Sequence, residues 1–176
     1  DLVMSLKLKR DFEMGDRLLL NLRTGYDNIS KQAVSSAVKT AELNGFSIYG
    51  VALSDDDVKE FERYVSEGTL KLDQITVVRS LSQFEDVLNR SCCAIGMRLH
   101  FLILSLLAGL PLRGAPYDPK VASFCKEWDI PVTGSAGAEF SSPPDECILE
   151  ETAGRVAASF KEGLCSVLGE AYGDNK

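Results

Sequence analysis

Short apolar runs alternate with helically spaced segments along most of this chain, and few architectures accommodate that alternation. Residues 17–22 (Arg-Leu-Leu-Leu-Asn-Leu) read as a buried strand, and residues 28–44 carry Ile29, Ala33, Ala37 and Ala41 at helical spacing. Asn44-Gly45 is the stop signal. A second strand is expected over 46–53. The next helix is announced by Ser54 followed by three aspartates and runs to about Gly68. Strands over 75–78, 92–96 and 111–115 and helices over 80–89, 98–108 and 118–128 continue the pattern. Residues 130–132 form a weak sixth strand, 134–144 a loop rich in Gly, Ser and Pro, and 150–172 a last amphipathic helix. Strand and helix in strict alternation predict an α/β fold, a Rossmann-like parallel sheet with helices on both faces. Ligands of such sheets bind beyond the carboxyl ends of the strands.

Length and composition narrow the class further. At 176 residues the chain is most simply one domain, spanning 17–172, with 173–176 as a frayed tail. It opens on Asp1 without a methionine, and residues 1–16 read as an interdomain segment or the start of a piece of a longer protein. Net charge is −7 and no block of Lys and Arg stands out, which argues against nucleic-acid binding. The most apolar stretch, 99–112, is interrupted by His100, Ser105 and Gly109 and is shorter than the roughly 20 residues of a membrane span. The five cysteines include no C-x-x-C pair, so free thiols in a reducing cytoplasm are expected and no metal site. Cys92 and Cys93 read as core positions of a strand rather than a redox pair.

Chemistry concentrates in Gly96-Met97-Arg98-Leu99-His100, in Ala108-Gly109-Leu110-Pro111 and in Tyr117-Asp118-Pro119-Lys120. The first ends a strand and opens a helix, whose free N–H groups and dipole favour an anion. Arg98 can make a two-pronged hydrogen bond to a carboxylate or phosphate. His100, the only histidine, belongs to a residue type that titrates near neutral pH and can act as acid and base. Lys120, in the first turn of the next helix after the cap Asp118 and Pro119, can converge on the same ligand. The plain alternative is that His100 is a hydrogen-bonded structural residue. No G-x-G-x-x-G and no G-x-x-x-x-G-K-[ST] is present, so neither a dinucleotide site nor a P-loop has its fingerprint.

Other residues carry weaker signals. Arg23, at the end of the first strand, either lines the same crevice or is solvated. Tyr117 packs against the site or only anchors its turn, and Arg113 can face either side of the sheet. Trp128 is expected in or near the core. Asp55, Asp56 and Asp57 resemble a metal cluster, but a capping, solvated helix face is the better reading. Glu139 is a general-base candidate with nothing specific behind it.

Residues 93–125, through the Gly96–His100 turn, the apolar helix, Ala108-Gly109-Leu110-Pro111 and Tyr117-Asp118-Pro119-Lys120-Val121, resemble the polysaccharide pyruvyl transferase family, including enzymes that pyruvylate cell-wall polymers for S-layer anchoring. Leu22-Arg23 also looks like the start of that family's C-terminal domain. The resemblance implies the C-terminal half of a GT-B-like two-domain enzyme, with an N-terminal domain outside this chain and the final helix crossing back towards it. It implies transfer of the enolpyruvyl group of phosphoenolpyruvate to a sugar, forming a pyruvate ketal, with no further cofactor. His100 would be catalytic, and Arg98 and Lys120 would bind substrate, with Arg23 and Tyr117 beside them. The acceptor would be a lipid- or nucleotide-linked saccharide, which places the enzyme in the cytoplasm or at the inner face of the membrane. Arg113 and Ala115-Pro116 depart from the apolar strand and turn expected there. Two alternatives stay open: a glycosyltransferase domain that binds a nucleotide-sugar, and a non-catalytic anion- or glycan-binding domain.

Overall fold

Five parallel strands in the order β3-β2-β1-β4-β5 form the sheet in the computed structural model. The structure describes residue 13 and residues 15–134, 140–142, 148–149 and 151–152. The chain divides into two compact units, Leu8–Pro143 and a second made of Asp1–Lys7 with Pro144–Lys176. The described residues of the second unit, 148–149 and 151–152, are helical. Most of the expected final helix, and the tail, lie outside the described residues.

In the larger unit the elements follow the alternation read from the sequence. They are β1 (Arg17–Asn21), α1 (Asp27–Asn44), β2 (Ser47–Ala52), α2 (Asp55–Ser66), β3 (Gln74–Val77), α3 (Leu81–Leu88), β4 (Ser91–Gly96), α4 (Leu99–Leu107), β5 (Leu112–Gly114) and α5 (Pro119–Glu127). Gly45 ends α1 in the left-handed conformation, its N–H bonded to the Ala41 carbonyl. The expected sixth strand is reduced to one parallel bridge between Gly114 and Val132. Pro131 has no N–H to donate, and its carbonyl accepts from Gly114 while Thr133 donates to the Gly114 carbonyl.

Period-two alternation decides which side chains meet which helix. Leu18, Leu20 and Leu22 join Ala33, Val34, Ala37 and Ala41 of α1 in one apolar cluster with Ile48, Cys93, Ile95 and Met97. Leu19 and Ala94 are equally buried but point to the other face, where Phe101 of α4 meets Phe84 of α3 edge-on at 6.1 Å. Helices on both faces explain why β1 and β4 are apolar without interruption for most of their length. Gly96 lets α4 approach the strand: a Cβ there would lie 2.3 Å from Cδ1 of Phe101. Among the described residues no helix is long and apolar enough to cross a membrane.

The strand order reverses direction at β1. The chain moves outward through β2 and β3, then returns to place β4 on the other side of β1. This is the topological switch point, and the crevice above it is where open α/β sheets hold ligands.

Candidate functional site

Asn21, the last residue of β1, organises the carboxyl edge of the sheet. Its side chain is fully buried in an otherwise apolar run. Its Nδ2 donates to the Val51 carbonyl at 2.8 Å, and its Oδ1 accepts from the Arg98 backbone N–H at 3.0 Å. Its own carbonyl accepts from Met97 N–H. One amide side chain thereby ties the ends of β1, β2 and β4, and removing it would take a partner from the buried Val51 carbonyl and from the part-buried Arg98 N–H. Met97 adds a second tie: its sulfur accepts from Arg23 N–H at 3.3 Å and from Ser30 Oγ at 3.5 Å.

Arg98 is the N-cap residue of α4. Its Nη2 donates to Asp57 Oδ1 at 2.6 Å and to Ser54 Oγ at 2.9 Å. Asp57 is completely buried while Arg98 keeps 25% of its side chain exposed. The sequence reading of Asp55–Asp57 as one solvated face is therefore corrected at Asp57. Asp55 and Asp56 are exposed and pair with Arg79 and Lys59, whereas Asp57 turns inward because Arg98 arrives from β4 to neutralise it. The capping expectation is not met: Ser54 makes no side-chain cap, and its hydroxyl accepts from Arg98 instead. Asp57 Oδ2 accepts from Leu53 N–H, one residue before the cap, at 3.0 Å. Arg98 Nε is buried without a hydrogen-bond partner.

Arg23 leaves the end of β1 and lies against two rings. Its Nη1 donates to Tyr117 Oη, and its guanidinium sits 4.6 Å from the Tyr117 ring centre and 5.7 Å from that of Tyr26. The two tyrosine rings are 4.5 Å apart. Arg23 and Tyr117, both named from sequence, are thus brought together. Burial raises the Tyr117 hydroxyl pKa above its ordinary range, against the lowering influence of Arg23. Thr24 Oγ1 donates to the Asp56 carbonyl at 2.7 Å, which joins the β1 loop to the start of α2.

His100 and Lys120 are both exposed in the first turns of α4 and α5. Those helices follow the adjacent strands β4 and β5, so both side chains belong to the edge that carries Arg23 and Arg98. Asp118 caps α5, its Oδ1 accepting from Val121 N–H at 3.0 Å. That hydrogen bond, more than any other influence, holds the Asp118 carboxyl below its ordinary range. Asp118→Ala is expected to cost about 1 kcal/mol, read as a lower urea midpoint. The folded pKa is depressed, so the stabilisation is complete above the ordinary value of 3.8 and fades as pH falls through the lower folded value. A parent–variant gap that persists unchanged into strong acid would show that the carboxylate is not the cap.

Arg113 faces α1, not the carboxyl crevice. It is buried, donates to Ser36 Oγ at 2.6 Å and stacks 4.6 Å from the Phe140 ring centre. Burial lowers its pKa from the usual guanidinium value. Trp128 is half-buried at the end of α5, and Glu139 lies outside the described residues. Cys125 is buried, which pushes its thiol up to about 11 and makes it a packing residue. Among the described residues no three His, Cys, Asp or Glu gather as for a metal ion.

The sequence reading missed Asn21, Tyr26 and the inward role of Asp57. Asn21 had a signal, a lone amide inside a leucine run. Asp57 had one too, at the third helical position after a serine. Tyr26 had none that distinguished it from an ordinary loop tyrosine. No protein-family model matches this chain, and no curated protein matches it.

Proposed function

We propose that this chain is the donor-side domain of a transferase that moves the pyruvyl group of phosphoenolpyruvate onto a sugar of a cell-surface polysaccharide or its precursor. One observation carries the reading: Arg23, Arg98, His100 and Lys120 share the carboxyl edge at and beside the switch point of the sheet. Phosphoenolpyruvate has a phosphate and a carboxylate, and an acidic chain must meet both with locally placed cations. Arg98 is oriented by Asp57 and Ser54, and Arg23 by Tyr117, so neither must search for its geometry when the donor arrives. Lys120 contributes a mobile point charge.

In this mechanism a proton is delivered to the methylene carbon of the donor, and the neighbouring carbon becomes electrophilic. A sugar hydroxyl attacks there and gives up its proton. A second hydroxyl closes the ketal as inorganic phosphate departs. His100 serves as the general acid or base. The cations and the N-terminus of α4 hold the two anionic groups and stabilise the departing phosphate. Tyr26, 37% exposed beside Arg23, offers a ring face to the sugar. The reading includes a GT-B-like arrangement with an N-terminal domain, a lipid- or nucleotide-linked acceptor, and action in the cytoplasm or at the inner membrane face.

The test is phosphate release from phosphoenolpyruvate by the full-length protein that carries this chain, with and without lipid- and nucleotide-linked saccharides. Saccharide-dependent release is expected, and Lys120→Ala should raise the phosphoenolpyruvate concentration needed for half-maximal rate by about tenfold, the loss of one charge-assisted contact. An unchanged concentration dependence would put Lys120 outside the pocket. Turnover of a nucleotide-sugar without phosphate release would replace pyruvyl transfer by glycosyl transfer. Binding of phosphoenolpyruvate with no turnover would make this a recognition domain.

A further inference from the structure

Adjacent residues of a regular strand point to opposite faces of the sheet. Cys92 and Cys93 do not obey that rule. The register between β1 and β4 slips there: Arg17 pairs with Ser91, and Leu18 pairs with Cys93, so Cys92 is an extra residue opposite no partner on β1. A bulge of this kind re-aims a side chain. Here it turns both thiols to the α1 side, with the two sulfurs 3.8 Å apart. Cys92 Sγ also donates to the Arg17 carbonyl at 3.2 Å.

Both cysteines wall a cavity of about 510 Å³ at the amino ends of β4 and β5, away from the carboxyl edge. Phe46, Pro111 and Phe140 supply apolar walls, and Lys39 and Arg113 supply positive charge. Cys92 is half-buried and Cys93 is 5% exposed, so the pair is reached through the cavity.

We propose that Cys92 and Cys93 form a bidentate thiol site for a thiophilic trivalent metalloid of the monosubstituted arsenous class, its substituent occupying the apolar part of the cavity. Two ligands and no third is what such a centre requires, since it brings its own third substituent. Zinc needs three or four protein ligands, and no group of three is gathered among the described residues. Direct oxidation to a disulfide is disfavoured. Neighbouring Cα atoms lie about 3.8 Å apart, shorter than the ~4.4–6.8 Å that a disulfide usually spans. The dithiol therefore remains available for chelation.

The ionisation of the two groups agrees with this chemistry. The hydrogen bond shared with Cys93 lowers the Cys92 thiol pKa, and the same bond together with burial raises that of Cys93. Cys92 is thus the first nucleophile. Two arsenic–sulfur bonds form in sequence, and the oxygen of an arsenous oxide leaves as water with the two thiol protons. No electron is transferred.

The probe is phenylarsine oxide, added in stoichiometric amount to the folded, reduced chain and followed by intact mass spectrometry. One phenylarsenic adduct is expected. It should survive excess monothiol, be removed by 2,3-dimercaptopropanol, and map to the tryptic peptide 91–98. Cys92→Ser and Cys93→Ser should each abolish the monothiol-resistant adduct. Cys92→Ser is the decisive variant because that side chain is the less buried, and circular dichroism reports its fold. An adduct that washes off with monothiol, maps elsewhere, survives in Cys92→Ser, or forms only in denaturant would overturn the proposal.

Discussion

In the full-length protein His100→Ala is expected to lower pyruvyl-transfer turnover by about 10²–10⁴-fold, the range for removing a general acid or base. The phosphoenolpyruvate concentration for half-maximal rate should change little, because a group that acts in the transition state contributes mainly there. His100 is exposed in the first turn of α4, so its substitution should shift stability by no more than about 0.5 kcal/mol. The measurement is phosphate release under saturating donor, with a urea melt of the same variant. Unchanged turnover would remove His100 from the mechanism. A fall in turnover matched by a fall in stability would make it a structural residue.

Arg98→Ala should destabilise the chain by about 3–5 kcal/mol, because it leaves a fully buried carboxylate without its cation. The urea midpoint reports this, and Asp57→Asn in the same background should recover a large part of the loss by removing the stranded charge. The cost is far above the ~0.2–1 kcal/mol of an exposed pair such as Lys59–Asp56. A loss within that exposed-pair range would mean that Asp57 reaches water when Arg98 is gone. An inactive Arg98→Ala protein has lost the connection between β4 and the start of α2 as well as a positive charge at the carboxyl edge of the sheet. Arg98→Lys, which keeps the ion pair but loses the planar fork, separates the two effects.

The fold was legible because its signals are local. Leu18–Leu20 and Ala94–Ile95 announce strands buried on both faces, and Ser54, Asn44-Gly45 and Asp118-Pro119 punctuate the helices. The sheet departs from that reading mainly at residues 130–132, where a proline leaves only one bridge. The site was legible in part. Arg23, Arg98, Tyr117, His100 and Lys120 stand out as chemistry-bearing residues at strand-to-helix turns, and strand order then puts those turns on one edge.

Which of these residues touch one another was not readable. Residue type and spacing along the chain dictate secondary structure, capping and the side of the sheet that carries the loops, since these depend on neighbours a few positions away. Partnership depends on strand order, which brings Arg98 to Asp57 across 41 positions and Arg23 to Tyr117 across 94. The same holds for the thiols of Cys92 and Cys93. Their adjacency is covalent, but their convergence comes from a register slip against β1, a strand more than 70 residues away. Long-range pairing is settled by how two faces of one sheet are covered at once, and no local window of sequence contains both faces.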